Sequence, residues 1–128
     1  MRSLIGIKMI LAATMAALFM SIPSAEVRGA SAIAYSPQAY GYSFNVGTVE
    51  EAEKLAIEMA KKHGGIDVKI LVSTDKHGYG AIAADGNLLV GVVGYPDLRS
   101  ATQKTISECV RKGCKQPRLI ATWYDRGY

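Results

Sequence analysis

The chain repeats itself. Residues 32–79 lie over residues 81–128 without a gap. Ala32-Ile33-Ala34 meets Ala81-Ile82-Ala83, Ala52 meets Ala101, Ile57 meets Ile106, Gly64 meets Gly113, and Gly78-Tyr79 meets Gly127-Tyr128. Only about eight positions are identical, so the repeat rests on agreement of pattern as much as on identity. Each copy reads as strand, turn, strand, helix, strand. A single such unit exposes an apolar face that it cannot bury alone, whereas two units related by a pseudo-two-fold axis can bury theirs together.

Local signals place the elements. In the first copy Ala32 to Tyr35 is a short strand and Ser36-Pro37 opens a turn. Ala39 to Val46 continues as a strand that alternates, with Tyr40, Tyr42 and Phe44 on one face and Gly41, Ser43 and Asn45 on the other. In the second copy Asp85-Gly86 marks a hairpin turn, because glycine tolerates positive φ. Asn87 to Tyr95 then runs apolar on both faces, the pattern of a covered central strand. The last strands are Val68 to Ser73, alternating, and Arg118 to Tyr124, ending in Trp123 and Tyr124.

Between these strands lie two helices with clear ends. Thr48-Val49-Glu50-Glu51 has the form of a capping box, followed by an apolar stripe at Val49, Ala52, Ala56, Met59 and Ala60. Asp97 takes the cap position of the second helix, whose stripe is Leu98, Ala101, Thr105, Ile106 and Cys109. Gly64 and Gly113 stop the helices at equivalent positions of the repeat. These elements predict an α+β fold: two pseudo-symmetric ββαβ repeats forming a mainly antiparallel sheet, with two helices packed on one face.

The two cysteines, Cys109 and Cys114, follow from the same geometry. With Gly113 just past the helix end, they take the two positions that a Schellman ending brings into contact. A structural disulfide is therefore expected there. The alternative, a redox-active dithiol, lacks both the Cys-x-x-Cys spacing and the thioredoxin-like βαβ setting. A metal site wants about four ligands, and His63 and His77 are the only histidines. No metal or cofactor is expected.

Upstream of the repeat, residues 1–29 read as a signal peptide. Arg2 and Lys8 precede an apolar run from Met9 to Ile22 that ends at Pro23. The run suits a secretory h-region of roughly 7 to 15 residues better than the about 20 needed to span a bilayer. Cleavage near Ala25 or Gly29 fits the small residues there. Ala30-Ser31-Ala32 matches the small-x-small pattern better, but a cut there would remove the start of a strand. An uncleaved anchor is the alternative. Residues 30–128 then form one exported domain, periplasmic or extracellular, which meets the membrane only through its leader during export. Export also makes a disulfide the default state of a close cysteine pair.

Charge narrows the partners. The full chain carries +4, and loss of Arg2 and Lys8 leaves about +2. The remaining cations are interleaved with acids, as in Glu50, Glu51, Glu53, Lys54, Glu58, Lys61 and Lys62, the pattern of a solvated helix face rather than of a nucleic-acid interface.

With these residues in place, the chain resembles the bacterial family called domain of unknown function 4189. The resemblance lies in Ala32-Ile33-Ala34-Tyr35-Ser36-Pro37, Tyr40-Gly41-Tyr42-Ser43 and Ala52-Glu53 of the first copy. It continues through Gly80-Ala81-Ile82-Ala83 and the cysteine near the end of the second helix. It implies export, a small mixed fold and a disulfide, and it implies no activity. Family members often carry more cysteines; here Ala60 and Gly65 stand where the second copy has Cys109 and Cys114.

No catalytic constellation is legible. His63 falls in the last helical turn, where a cation suits the helix dipole. His77, in Asp75-Lys76-His77-Gly78, reads as part of a polar turn. Asp67, Asp75, Asp85, Asp97 and Asp125 are spread over turns and caps, each with a local backbone role available. The glycines make no phosphate loop.

What remains is aromatic. Tyr40, Tyr42, Phe44, Trp123 and Tyr124 form a candidate binding surface, since Tyr and Trp combine large area with a polar handle. The alternative places the Tyr40-Tyr42-Phe44 stripe in the core under the helices. The sequence points to a non-enzymatic binding or interaction module, inhibitor-like in one variant, with an unidentified protein or envelope partner. Its rivals are a small secreted hydrolase using His77 with Asp75, and a structural envelope component.

Overall fold

A computed structural model describes residues 29–127; the expected signal peptide lies almost wholly outside them. The elements are β1 (Ala30–Tyr35), β2 (Tyr40–Val46), α1 (Val49–Lys62), β3 (Lys69–Thr74), β4 (Gly78–Asp85), β5 (Leu88–Tyr95), α2 (Leu98–Arg111) and β6 (Arg118–Asp125). This is the ββαβ unit twice, in an α+β fold with every strand pair antiparallel.

The duplication extends to irregularities. The β1–β2 register shifts between Ala30 and Ala32, and the β4–β5 register shifts between Tyr79 and Ala81. A second shift falls between Ile33 and Ala34 in one copy and between Ile82 and Ala83 in the other. Asn45 and Gly94, equivalent in the repeat, both have positive φ. Bulges at equivalent places re-aim each strand in the same way.

Both helices end as the glycines predict. Cys114 N–H donates to Cys109 O and Gly113 N–H to Val110 O, the two bonds of a Schellman ending; Gly65 to Ala60 and Gly64 to Lys61 repeat them in the first copy. Cys109 and Cys114 are joined, with their Cα atoms 5.1 Å apart. At the N-termini Thr48 accepts from Glu51 N–H at 3.1 Å and Asp97 from Ser100 N–H at 2.7 Å.

The strands divide into two three-stranded sheets, ordered β2-β1-β3 and β5-β4-β6, where a single sheet was expected. Each sheet carries its own helix on one face, and the other faces meet. Period-two alternation on the central strands sets this up. In β1, Ala30, Ala32 and Ala34 pack with Ala52 and Ala56 of α1, while Ile33 turns to the opposite side. In β4, Ala81 and Ala83 turn to α2, and Ile82 meets Ile33 and Trp123 between the sheets. Alanine on both partners lets helix and sheet approach closely. The larger residues are spent on the seam between copies.

Two expectations change. β5 is an edge strand, and β4 is the central one. β5 is apolar on both faces because Val90 and Val92 lie under α2 while Leu89 and Val93 face the other sheet. Layer position, not sheet position, explains its composition. Leu98, assigned to the buried stripe of α2, is exposed; Ala101, Thr105 and Cys109 are the buried positions.

Candidate functional site

The aromatic stripe begins on β2, whose small residues decide its orientation. A Cβ on Gly41 would lie 2.3 Å from the Ala56 carbonyl oxygen, so only glycine lets α1 approach there. Ser43, on the same face, donates its hydroxyl to the Ala52 carbonyl at 2.6 Å. Helix α1 therefore covers the Gly41/Ser43 face. Tyr40, Tyr42 and Phe44 point away from it, toward the second copy. The stripe is not core under a helix.

From the other copy, β6 supplies Trp123. Its ring stacks on Tyr42 with centroids 4.7 Å apart and planes 9° from parallel, and lies 6.0 Å from Phe44. Tyr40 and Phe44 flank Tyr42 at 6.5 and 6.3 Å. The four rings form one near-parallel stack, within the 4.5 to 7 Å range of favourable aromatic pairs. Space for the indole comes from Gly80, its cross-strand partner, where a Cβ would sit 2.2 Å from Trp123 Cε2.

Exposure is graded along the stack. Trp123 is 6% exposed, Tyr40 and Tyr42 are half-buried, and Phe44 is 38% exposed. The Trp123 indole N–H is buried without a partner. Tyr124 stands apart: as the neighbour of Trp123 on a strand it faces the other way, where it packs at 4.6 Å on Tyr79. Of the five aromatic residues singled out in sequence, the structure brings four together and leaves Tyr124, 46% exposed, outside the group.

Beside the stack lies a polar cluster that sequence reasoning missed. Asp125 is fully buried. Its Oδ2 accepts from Ser31 Oγ and from Asn45 N–H, each at 2.8 Å, and its Oδ1 accepts from Gly127 N–H at 2.9 Å. Two of the three donors belong to the first copy, so the carboxylate ties the copies together. Asn45 returns the contact, its Oδ1 accepting from Arg126 N–H at 2.7 Å. Gly29 closes the cluster; a Cβ there would fall 1.6 Å from Asp125 Oδ1. The local backbone role expected of Asp125 accounts for Gly127 alone. The repeat gave no signal, because Lys76 occupies the equivalent position.

His63, Asp75 and His77 are all exposed, and no hydrogen bond or ion pair joins either histidine to an acid among the described residues. His77 lies against the chain end, its Cβ 3.1 Å from where a Cβ on Gly127 would be.

Compared with known proteins, residues 30–124 match the family model described as domain of unknown function 4189. No curated protein and no solved structure matches the chain.

Proposed function

We propose that this chain, which belongs to the domain of unknown function 4189 family, is an exported, non-enzymatic module that binds a protein partner of the envelope or the extracellular space. The observation carrying this reading is the open end of the aromatic stack. Phe44 presents a large apolar ring to solvent at an edge strand, backed by Tyr42 and Trp123. A rigid exposed aromatic on a pre-packed base is the usual anchor of a binding surface, because little side-chain entropy is lost on contact. Export is supported by the basic-then-apolar N-terminus and by the Cys109–Cys114 disulfide, a bond that persists in oxidising compartments. No helix among the described residues is long and apolar enough to cross a membrane.

The test uses the mature domain immobilised as bait against secreted and periplasmic fractions of the native cell. Phe44→Ala should reduce capture of the specific partner at least tenfold while leaving the fold intact. Equal capture by the wild type and the variant would remove the stack from the binding surface. A hydrolytic rate on ester, peptide or glycan substrates that vanishes in His77→Ala would replace the binding reading with the enzymatic one.

A further inference from the structure

The two copies close the loop after their helices differently. In the second copy, Asp85 at the end of β4 accepts from Lys115 N–H at 2.6 Å and Gln116 N–H at 3.0 Å. Those two N–H groups, Gln116 first, and the nearby Arg118 hold its carboxyl below the ordinary aspartate value. The loop is an anion seat, and the chain fills it with its own carboxylate.

The gapless repeat sets Ser36 over Asp85, Ile66 over Lys115, Asp67 over Gln116 and Lys69 over Arg118. The first copy repeats the two bends of this loop, with a positive φ of 56° at Asp67 that Gln116 does not share, and a hydroxyl stands in place of the carboxylate. Ser36 Oγ is buried in a residue only 7% exposed and has no hydrogen-bond partner. Ile66 N–H reaches only Gln38 Oε1, at a long 3.3 Å, and Asp67 N–H makes no hydrogen bond among the described residues. A cleft of about 390 Å³ opens at this spot, lined by Tyr35, Ser36, Gln38, Ile66, Asp67 and Lys69. A buried hydroxyl left unpaired beside a cleft is costly unless something outside the chain satisfies it, and the N–H of the exposed Asp67 is open to a ligand or to water.

We propose that this first-copy cleft binds a carboxylate from outside the chain, seated on the N–H groups of Ile66 and Asp67 and the Lys69 ammonium, with the buried Ser36 hydroxyl turning into the cleft to donate to it. The second copy defines the chemistry: a carboxylate on a one-methylene stem, as Asp85 supplies. Gln38 gives up Ile66 N–H when the ligand enters. The exposed Asp67 carboxylate opposes an incoming anion, and Lys69 offsets it. Free small carboxylates and aspartyl side chains of a partner protein share this chemistry. The site is separate from the aromatic stack, so the two readings fail independently.

The test follows backbone amide shifts of the ¹⁵N-labelled mature domain during titration with sodium acetate, with an N-acetyl-aspartyl amide peptide, and with sodium chloride at matched ionic strength. The Ile66 and Asp67 amides should move and saturate with the carboxylates and not with chloride. Lys69→Gln should weaken binding at least fivefold. Ser36→Asp, which copies the second repeat, should abolish binding, begin with both amides near their bound positions, and raise the melting temperature. A peptide affinity tenfold or more above that of acetate assigns the site to a protein side chain; equal affinities assign it to free carboxylates. Absence of saturable shifts with both carboxylates, the same shifts with chloride, or a Ser36→Asp variant that titrates like the wild type would overturn the proposal.

Discussion

Ser31 of the first copy donates its hydroxyl to Asp125 of the second across 2.8 Å, and both residues are buried. The two are far apart in sequence, yet the bond lies where strand β1 of one unit meets the end of strand β6 of the other. Together with Asn45 N–H to Asp125 and Arg126 N–H to Asn45, it adds directional bonds to a seam built largely of apolar side chains. A carboxylate with three donors and no exposure specifies one docking of the copies, where apolar contact alone would tolerate several.

Asp125→Ala should therefore destabilise the domain by about 3 kcal/mol, because it leaves the Ser31, Asn45 and Gly127 donors without their acceptor. Asp125→Asn keeps the shape but turns an amide N–H₂ toward a donor, and should lose nearly as much. Urea midpoints measure both. A change within experimental error for Asp125→Ala would mean that water replaces the carboxylate without cost.

Gly80→Ala places a methyl group inside the Trp123 ring position. The indole has to move, and the stack with Tyr42 breaks. A cost of about 2 kcal/mol is expected from overpacking. Trp123 is the single tryptophan, so fluorescence spectra excited selectively at the indole report this site alone. Unchanged spectra in a folded Gly80→Ala protein would contradict the packing described.

Acid should weaken the domain in a definite range. Asp97 is held below 3.8 by the Ser100 N–H, then by the Ser100 hydroxyl, and Asp85 is held below 3.8 by the loop N–H groups. A carboxyl whose folded value is depressed contributes stability above its unfolded value, and that contribution disappears as the pH falls through the folded value. Stability should thus be level above about pH 5 and decline below about pH 4. Asp97→Asn keeps the cap geometry but cannot titrate, so its decline should be shallower. A steeper decline would reverse the sign argued here.

Removing the disulfide as Cys109→Ala with Cys114→Ala should cost about 2 kcal/mol, since the loop closed is short. The Schellman hydrogen bonds remain available without sulfur, as Ala60 and Gly65 demonstrate in the first copy. Hydrogen exchange should therefore quicken mainly at the end of α2. Global unfolding of the double variant would show that the bond holds more than this corner.

Much of the architecture was legible because it is local. The capping residues Thr48 and Asp97, the helix stops Gly64 and Gly113, and the Cys109–Cys114 contact depend on neighbours within one turn of helix. The alternation on β2 correctly put Tyr40, Tyr42 and Phe44 on one face. The same rule, applied to Trp123 and Tyr124, separates them, and grouping both with the stripe overlooked it.

The amino-acid order by itself determined the repeat, its ββαβ unit, the helix ends and the alternation of the Tyr40-Tyr42-Phe44 strand, all set by backbone periodicity and short-range hydrogen bonding. Only the tertiary structure decided that the strands make two sheets, that Trp123 crosses from one copy to stack on Tyr42 of the other, and that Asp125 anchors to Ser31 and Asn45. Those contacts join residues distant along the chain, and burial of two apolar faces against each other is non-directional. Which side chains meet at the seam is settled by shape and by polar groups that must find partners once water has left.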